Sequence, residues 1–334
     1  MKKLYDPEAF RGLAVLITGG MGFLGSSLAI ELVRLGAKVT IVDSMISFYG
    51  GNPFNIAPIA DKVTVNYCDI RDHNAMNYLV RDQQLILHLA GQVDHVLSLL
   101  QTPYEDIDIN VKGTAVLLEA CRHQNPSARI VYTGTRGQYG KPARLPVAED
   151  APTMPLGIYE ITNLAAEKMV EAYHLTFGIK SIPLRITNVY GPRGQMRHSR
   201  YGVANWFIRL AMDNEIIPVF GDGTILRDFL YVDDCVEAIL ACAASDHCWG
   251  EIFNIGTDDP ANFIQLAEAV IRAAGCGKWQ LAPFTPERKA QEPGDFYSDI
   301  TKIGKYLGWK PTTSLDEGLS KTIDFYRQHR QHYW

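Results

Sequence analysis

Apolar and polar residues follow two different periods over the first half of the chain. Short apolar runs of strand length at residues 13–17, 37–42, 63–67, 85–89, 130–133 and 181–186 are separated by stretches in which apolar residues recur at helical spacing. The first such stretch carries Leu28, Ile30, Leu32, Val33 and Leu35 and stops at Gly36. A short helix is predicted over 73–80. Two long ones follow, over 103–123 with Ile107, Val111, Val116, Leu117 and Ala120 inward, and over 159–177 with Ala165, Met169, Val170 and Tyr173 on one face. Strands alternating with helices predict an α/β protein with a doubly wound parallel sheet covered on both faces. From Thr187 the alternation breaks down into loop over 191–202, a helix over 203–213 and a strand and turn over 218–223. Short strands at 229–232 and 252–255 and helices at 266–274 and 300–307 complete the chain. This pattern predicts a sheet domain over 1–186 and 226–256 and a smaller mixed C-terminal substrate domain over 187–225 and 257–334. Ligands of such sheets sit beyond the carboxyl ends of the strands, where both regions meet.

The turn out of the first strand narrows the picture. It reads Thr18-Gly-Gly-Met-Gly-Phe-Leu-Gly25. Gly19 allows a sharp turn, Gly22 allows the backbone to approach a pyrophosphate, and Gly25 allows the helix to pack close to the sheet. The helix N-terminus then offers N–H groups and the positive end of its dipole to phosphates. Asp43 ends the second strand, where it can accept hydrogen bonds from an adenosine ribose and repel a ribose phosphate. No Arg or Lys follows before Lys62, so the site favours NAD over NADP. Strand, glycine turn, helix, strand and terminal acid within about 30 residues make a Rossmann-type dinucleotide-binding unit. Residues 44–55, rich in Gly, Asn, Pro and aromatics, form a loop long enough to border the site.

Composition mainly excludes. The 334 residues suit one large or two ordinary domains, and a net charge of −5 gives no sign of a nucleic-acid binder. No apolar run approaches the roughly 18 residues of a membrane span. The first residues, Met1-Lys-Lys-Leu-Tyr-Asp-Pro-Glu, lack the apolar core of a signal peptide, so a cytoplasmic location is expected. Six cysteines without Cys-x-x-Cys spacing read as separate thiols in a reducing compartment, with no metal site.

Taken together, the motifs resemble the extended short-chain dehydrogenases/reductases, in the NAD-dependent branch that acts on nucleotide sugars. The glycine motif is followed in family order by Asp69-Ile70, His88-Leu-Ala-Gly-Gln92, Asn110-Val-Lys-Gly-Thr, Tyr132-Thr-Gly-Thr135, Tyr139-Gly140 and Tyr159. Arg185-Ile-Thr-Asn-Val-Tyr-Gly-Pro192, Arg227-Asp-Phe-Leu-Tyr-Val-Asp233 and Phe253-Asn-Ile-Gly256 come next, so that the match spans roughly residues 13–313. The resemblance implies NAD contacts from Gly19, Gly22, Phe23, Leu24, Gly25, Asp43, Asp69, Ile70, Leu89, Ala90, Gly91, Gln92, Asn110, Tyr159 and Asn163. It also implies cyclic chemistry, in which Tyr159 takes a proton from a sugar hydroxyl while NAD takes the hydride, and the hydride later returns. Thr135 would share the hydroxyl's hydrogen bond. Gln92, Asn188 and Arg227 would meet the nucleotide-diphosphate sugar, although Arg227 also reads as a surface ion pair with Asp228. The helices over 103–123 and 159–177 match those that form a four-helix homodimer interface in the family.

Three departures bear on the reaction. The family's Tyr-x-x-x-Lys is here Tyr159-Glu-Ile-Thr-Asn163, so the cation that normally lowers the tyrosine pKa is missing. Arg136, next to Thr135, is the candidate substitute. Arg136 and Gly137 stand where family dehydratases carry Asp-Glu, which disfavours dehydration and decarboxylation. Epimerisation at C4 asks least of this loop, and Ala90-Gly-Gln-Val93 resembles the corresponding segment of CDP-tyvelose 2-epimerases, keeping C2 open. Lastly, Glu292-Pro-Gly-Asp295 replaces an arginine that often helps hold phosphate, leaving Arg288 or Lys289 as substitutes. The expected activity is that of an NAD-dependent nucleotide-sugar epimerase. The alternatives are an NAD-loaded sensor or partner subunit without turnover, a dehydratase, or a keto-sugar reductase.

Overall fold

The computed structural model describes residues 4–47, 49–94, 98 and 102–334, so Phe48 of the loop expected over 44–55 lies outside the described residues. Its strands in chain order are β1 (Ala14–Thr18), β2 (Lys38–Val42), β3 (Val63–Asn66), β4 (Leu85–His88), β5 (Arg129–Thr135), β6 (Ser181–Ile186) and β7 (Asn188–Tyr190). They continue with β8 (Ile216–Phe220), β9 (Leu226–Arg227), β10 (Phe229–Tyr231), β11 (Phe253–Ile255), β12 (Ala261–Asn262) and β13 (Lys278–Ala282). Seven of them form one sheet in the order β11-β6-β5-β4-β1-β2-β3, with every neighbouring pair parallel. The chain runs outward from β1 to β3 and then crosses back to β4 on the other side of β1, which places a topological switch point between β1 and β4.

The strands are apolar on both faces because both faces are covered. All residues of β4 and β6 are buried. Alternation sends Leu16, Val42, Ile86 and Ile130 into one core with Val116, Leu117, Ala166 and Val170. It sends Val15, Ile17, Ile41, Leu87 and Val131 into the other, with Leu28 and Leu32 of helix α1 (Phe23–Arg34). Each such side chain contributes about 1.5–3 kcal/mol of burial.

The helix expected over 103–123 is not regular. An α-turn at Tyr104–Asp106 leads into a π-helical segment, Ile107–Gly113, before the α-helix Thr114–Gln124. A Cβ on Gly113 would lie 2.4 Å from Ile70 Cδ1, so the widened turn presses directly on the segment after β3. Single π-turns concentrate at functional sites, and this one carries Asn110. The second long helix, Ile158–Phe177, has the expected extent.

In the mixed region, β7–β10, β9–β12 and β8–β13 pair as small two-stranded sheets. Two long helices here were not anticipated from the pattern, Val232–Ala244 and Leu315–His329, nor was the short one at Pro286–Ala290. The first is buried almost all round, so it has no polar face to reveal its period. The second is announced by Ser314, which accepts a hydrogen bond from the Glu317 N–H at the helix start. Strand β13 and the short helix Pro286–Ala290 are largely exposed and carry little periodic signal.

Candidate active site

The carboxyl ends of β1, β2, β4, β5 and β6 open on a cavity of about 560 Å³. Gly19 turns the chain out of β1 with φ +70°, and a Cβ there would lie 2.9 Å from the Ala90 backbone nitrogen. Gly22 caps α1, and a Cβ on Gly25 would stand 2.3 Å from the Gly19 carbonyl oxygen. The close helix–strand approach thus depends on glycine. Asp43 accepts hydrogen bonds from the N–H groups of Met21 at 3.0 Å and Met45 at 2.9 Å. Burial raises its carboxyl above the ordinary value against those two bonds. The Met21 carbonyl is fixed from the other side by Asn52 N–H and Asn55 Nδ2, each at 3.0 Å, and Tyr333 donates to Asn55 Oδ1. Asp69 holds Arg71 through two side-chain bonds of 2.9 and 2.6 Å, which keep its carboxyl below the usual range.

At the end of β4 the hydrogen bonds define a tautomer. Thr18 Oγ1 accepts from Leu89 N–H and Ala90 N–H, so its own proton points to His88 Nδ1 at 2.7 Å. His88 Nε2–H then donates to Thr114 Oγ1, which donates to the Asn110 carbonyl. Burial pulls this imidazole down to about 4, in keeping with a neutral ring. The Asn110 amide accepts from Gln92 N–H and donates to Gln92 O and to Thr162 Oγ1. Gln92, expected to reach substrate, instead commits its side-chain amide to Asp94 O, Ser98 Oγ and Asp106 Oδ2 and accepts from Asp94 N–H. The two N–H donors of this fully buried amide are spent on these partners, so none is left for a sugar.

Thr135 ends β5, two residues further than the pattern predicts, and Tyr159 lies in the first turn of the helix Ile158–Phe177. The Thr135 hydroxyl stands beside that of Tyr159 on the cavity wall and accepts from Gly137 N–H at 3.1 Å. Tyr159 is pushed above its ordinary value by burial and by Glu160, while Thr135 and Arg136 pull the other way. Asn163 lines the cavity, but Nδ2 folds back onto the Tyr159 carbonyl at 2.9 Å and Oδ1 accepts from Tyr132 OH at 3.2 Å. Arg136 lines the wall between Thr135 and Arg227, its guanidinium 4.9 Å from the Phe296 ring centre. Burial and the Arg227 charge bring it down to about 10, against Asp228, Glu292 and Glu160.

Among the residues expected to meet cofactor or substrate, Arg288 stands outside the cavity lining, and so does its alternative Lys289. Arg288 is exposed and rests over Phe220, 4.9 Å from the ring centre, on the fully exposed helix Pro286–Ala290. Arg227 is not the surface partner of Asp228. It is buried at 3% exposure, and it donates to Leu226 O, Gly294 O and Glu292 Oε1. Asp228 is buried separately, accepting from Thr187 Oγ1, Ser298 N–H and Ser298 Oγ. Asn188 donates to the Asp228 carbonyl at the same end.

Two acidic residues take places at the site that their positions in the sequence did not indicate. Glu292 neutralises Arg227, and Glu160 lines the cavity with its Cγ only 2.6 Å from where a Gly137 Cβ would be. Glu160 thus fills the space left by the missing side chain at 137. Helical spacing hides it, since Glu160 follows Tyr159 by one residue; but the helix starts here, and its first turn meets the cavity end-on.

Residues 15–256 match the model of the NAD dependent epimerase/dehydratase family. The chain is similar to a UDP-glucose 4-epimerase of Mycolicibacterium smegmatis, 32% identical over 96% of this chain and 100% of that protein. It is similar as well to a dTDP-glucose 4,6-dehydratase of Streptomyces niveus, 32% identical over 95% and 94%. Its structure is similar to that of UDP-glucuronic acid 4-epimerase from Bacillus cereus in complex with UDP-glucuronic acid and NAD. That likeness has a TM-score of 0.84 and 28% identity over 95% of this chain and all of the other. With the model covering most of its length and relatives of this identity spanning nearly all of it, the chain belongs to the NAD dependent epimerase/dehydratase family.

Proposed function

We propose that the protein is an NAD-dependent epimerase of a nucleotide-diphosphate sugar, acting through a transient keto-sugar at C4, with C2 as the other candidate carbon. The observation that carries this reading is the placing of Thr135 and Tyr159 side by side on one cavity wall, in a lining that also holds the glycine turn, Asn188 and Arg227. The cradle fits a dinucleotide: Gly19 and Gly25 leave no room for a Cβ, and the helix N-terminus and Asp43 face the same cavity. Gly22, Phe23 and Leu24 would hold the pyrophosphate, Asp43 the ribose, and Asp69 and Ile70 the adenine side. Leu89, Ala90 and Gly91, with the Asn110, Tyr159 and Asn163 wall, would border the nicotinamide. NAD bound there supplies a hydride acceptor that gives the hydride back within one turnover. Tyr159 Oη removes the proton from the sugar hydroxyl, Thr135 Oγ1 orients that hydroxyl, and Arg227 with Asn188 anchors the phosphates. The region over 187–225 and 257–334 acts as the substrate domain.

A second reading, dehydration, gains from Glu160. Its carboxylate occupies the space beside Gly137 and could serve as the acid or base that the 136–137 pair lacks. A screen of nucleotide sugars with NMR of the products separates the two. Inversion at one carbon without change of mass supports epimerisation; loss of one water supports dehydration. Stoichiometric consumption of added nicotinamide, or tight NAD with no turnover on any nucleotide sugar, would overturn both in favour of a reductase or a sensor.

Asp43→Ala is expected to weaken NAD binding far more than NADP binding, because only the unphosphorylated ribose uses the carboxylate. Calorimetric titration checks it, and equal affinity of the wild type for both dinucleotides would sink the assignment.

Homodimerisation through the two long helices belongs to the same reading. Ile161 and Leu175, two heptads apart and both exposed, lie on one stripe of the helix Ile158–Phe177, and Tyr104 and Ile107 are exposed on the other helix. Light scattering should give twice the chain mass for the wild type and the monomer mass for Ile161→Asp/Leu175→Asp. A concentration-independent monomer in the wild type contradicts the assembly. Among the described residues no helix is long and apolar enough to cross a membrane, and all six thiols are free, which supports a cytoplasmic setting.

A further inference from the structure

We propose that Glu292 is a built-in counter-anion on Arg227, a specificity-determining residue that a nucleoside diphosphate must displace in order to bind. This rests on the reading above, in which Arg227 anchors the substrate phosphates. The Arg227 guanidinium is already wrapped. Nη1 donates to Leu226 O at 2.8 Å and Gly294 O at 2.6 Å, and Nη2 donates to Glu292 Oε1. The same carboxylate oxygen accepts the Gly294 N–H at 3.1 Å, so one short segment closes over the cation. Arg227 is almost fully buried while the Glu292 side chain keeps 21% exposure, so Glu292 is the partner that can leave for water.

The second cation explains why a counter-anion is needed. Arg136, stacked on Phe296, lines the same cavity as Arg227, with the buried Asp228 as the nearer anion on its own side. A buried arginine facing another cation is costly unless an anion is shared between them. Glu292 fills that role on the Arg227 side when the site holds no phosphate. A ligand gains Arg227 only by presenting an anion that outcompetes one well-placed carboxylate. A diphosphate, with two charges and several acceptor oxygens, can do so and can span both guanidinium groups. An uncharged ligand cannot. Glu292 therefore gives up affinity to select for multiply charged substrates.

The test is calorimetric titration of UDP, dTDP, CDP and GDP into the protein saturated with NAD, as wild type, Glu292→Gln, Glu292→Arg and Glu287→Gln. Glu292→Gln keeps an oxygen for Arg227 but removes the competing charge. Glu292→Arg adds a cation and provides a second measurement should either variant melt early. The diphosphate that binds the wild type is expected to bind Glu292→Gln about tenfold tighter or more, and Glu292→Arg tighter still. Glu287→Gln, exposed in the neighbouring helix, should match the wild type. Equal affinity in the wild type and both Glu292 variants would overturn the inference and leave the nucleotide-sugar reading standing. Weaker binding in Glu292→Gln would overturn it by making Glu292 a direct ligand contact. Failure of all four nucleotides to bind any of the proteins would overturn the nucleotide-sugar reading, and the inference with it.

Discussion

Tyr159→Phe is expected to lower kcat by about 10²–10⁴-fold while leaving NAD affinity near that of the wild type. The substitution keeps the ring and the helix start and deletes the hydroxyl that stands beside Thr135. Two described polar groups near it are committed elsewhere. His88 is buried and tied to Thr18 and Thr114, and the Asn163 amide is bonded to Tyr159 O and Tyr132 OH. The loss should fall on kcat more than on KM, because phosphate anchoring by Arg227 and Asn188 lies at the other end of the cavity. Steady-state kinetics on the preferred nucleotide sugar, with a parallel NAD titration, decide it. Activity within about threefold of the wild type would take the proton transfer away from Tyr159. Turnover that survives Tyr159→Phe but collapses in Glu160→Gln would move the acid–base role to Glu160.

How much of this was legible in the sequence depended on which physical signal each part left. The parallel sheet announced itself because strands buried on both faces are continuous apolar runs, as β4 and β6 are. The glycine turn was readable because Gly19 and Gly25 answer to backbone constraints that only glycine meets. Val232–Ala244 escaped because a helix buried all round shows no amphipathic period. At the site, position along the chain indicated which residues line the cavity, but not the direction of their hydrogen bonds. Gln92 and Asn163 both reach the wall, yet both spend their amides on the protein. Charge partners were hidden for the same reason. Arg227 and Glu292 are 65 residues apart, and only the fold reveals that they meet. Glu160 was obscured by helical spacing, which does not apply to a first turn seen end-on.

The pH dependence of turnover should reveal how the site manages without the lysine. Tyr159 must lose its proton to act as a base, and burial together with Glu160 holds its pKa above the ordinary tyrosine value. The basic form is therefore scarce near neutrality, and wild-type kcat should still be rising with pH through the alkaline range. Arg136 favours the tyrosinate electrostatically, against the larger effects of burial and Glu160. Arg136→Ala should accordingly move the limb to higher pH. Asn163→Lys supplies a charge four residues along the same helix face and should move it to lower pH, raising activity at pH 7. It also removes the bonds to Tyr159 O and Tyr132 OH, at a cost of about 1 kcal/mol each in stability. The decisive quantity is the coupling. If Arg136 stands in for the lysine, Arg136→Ala should shift the limb much less in the Asn163→Lys background than in the wild type, because the new ammonium already stabilises the tyrosinate. Additive shifts would show that Arg136 serves the substrate phosphates alone. A profile without a titrating limb between about pH 6 and 10 in Asn163→Lys would remove Tyr159 from the role of base altogether.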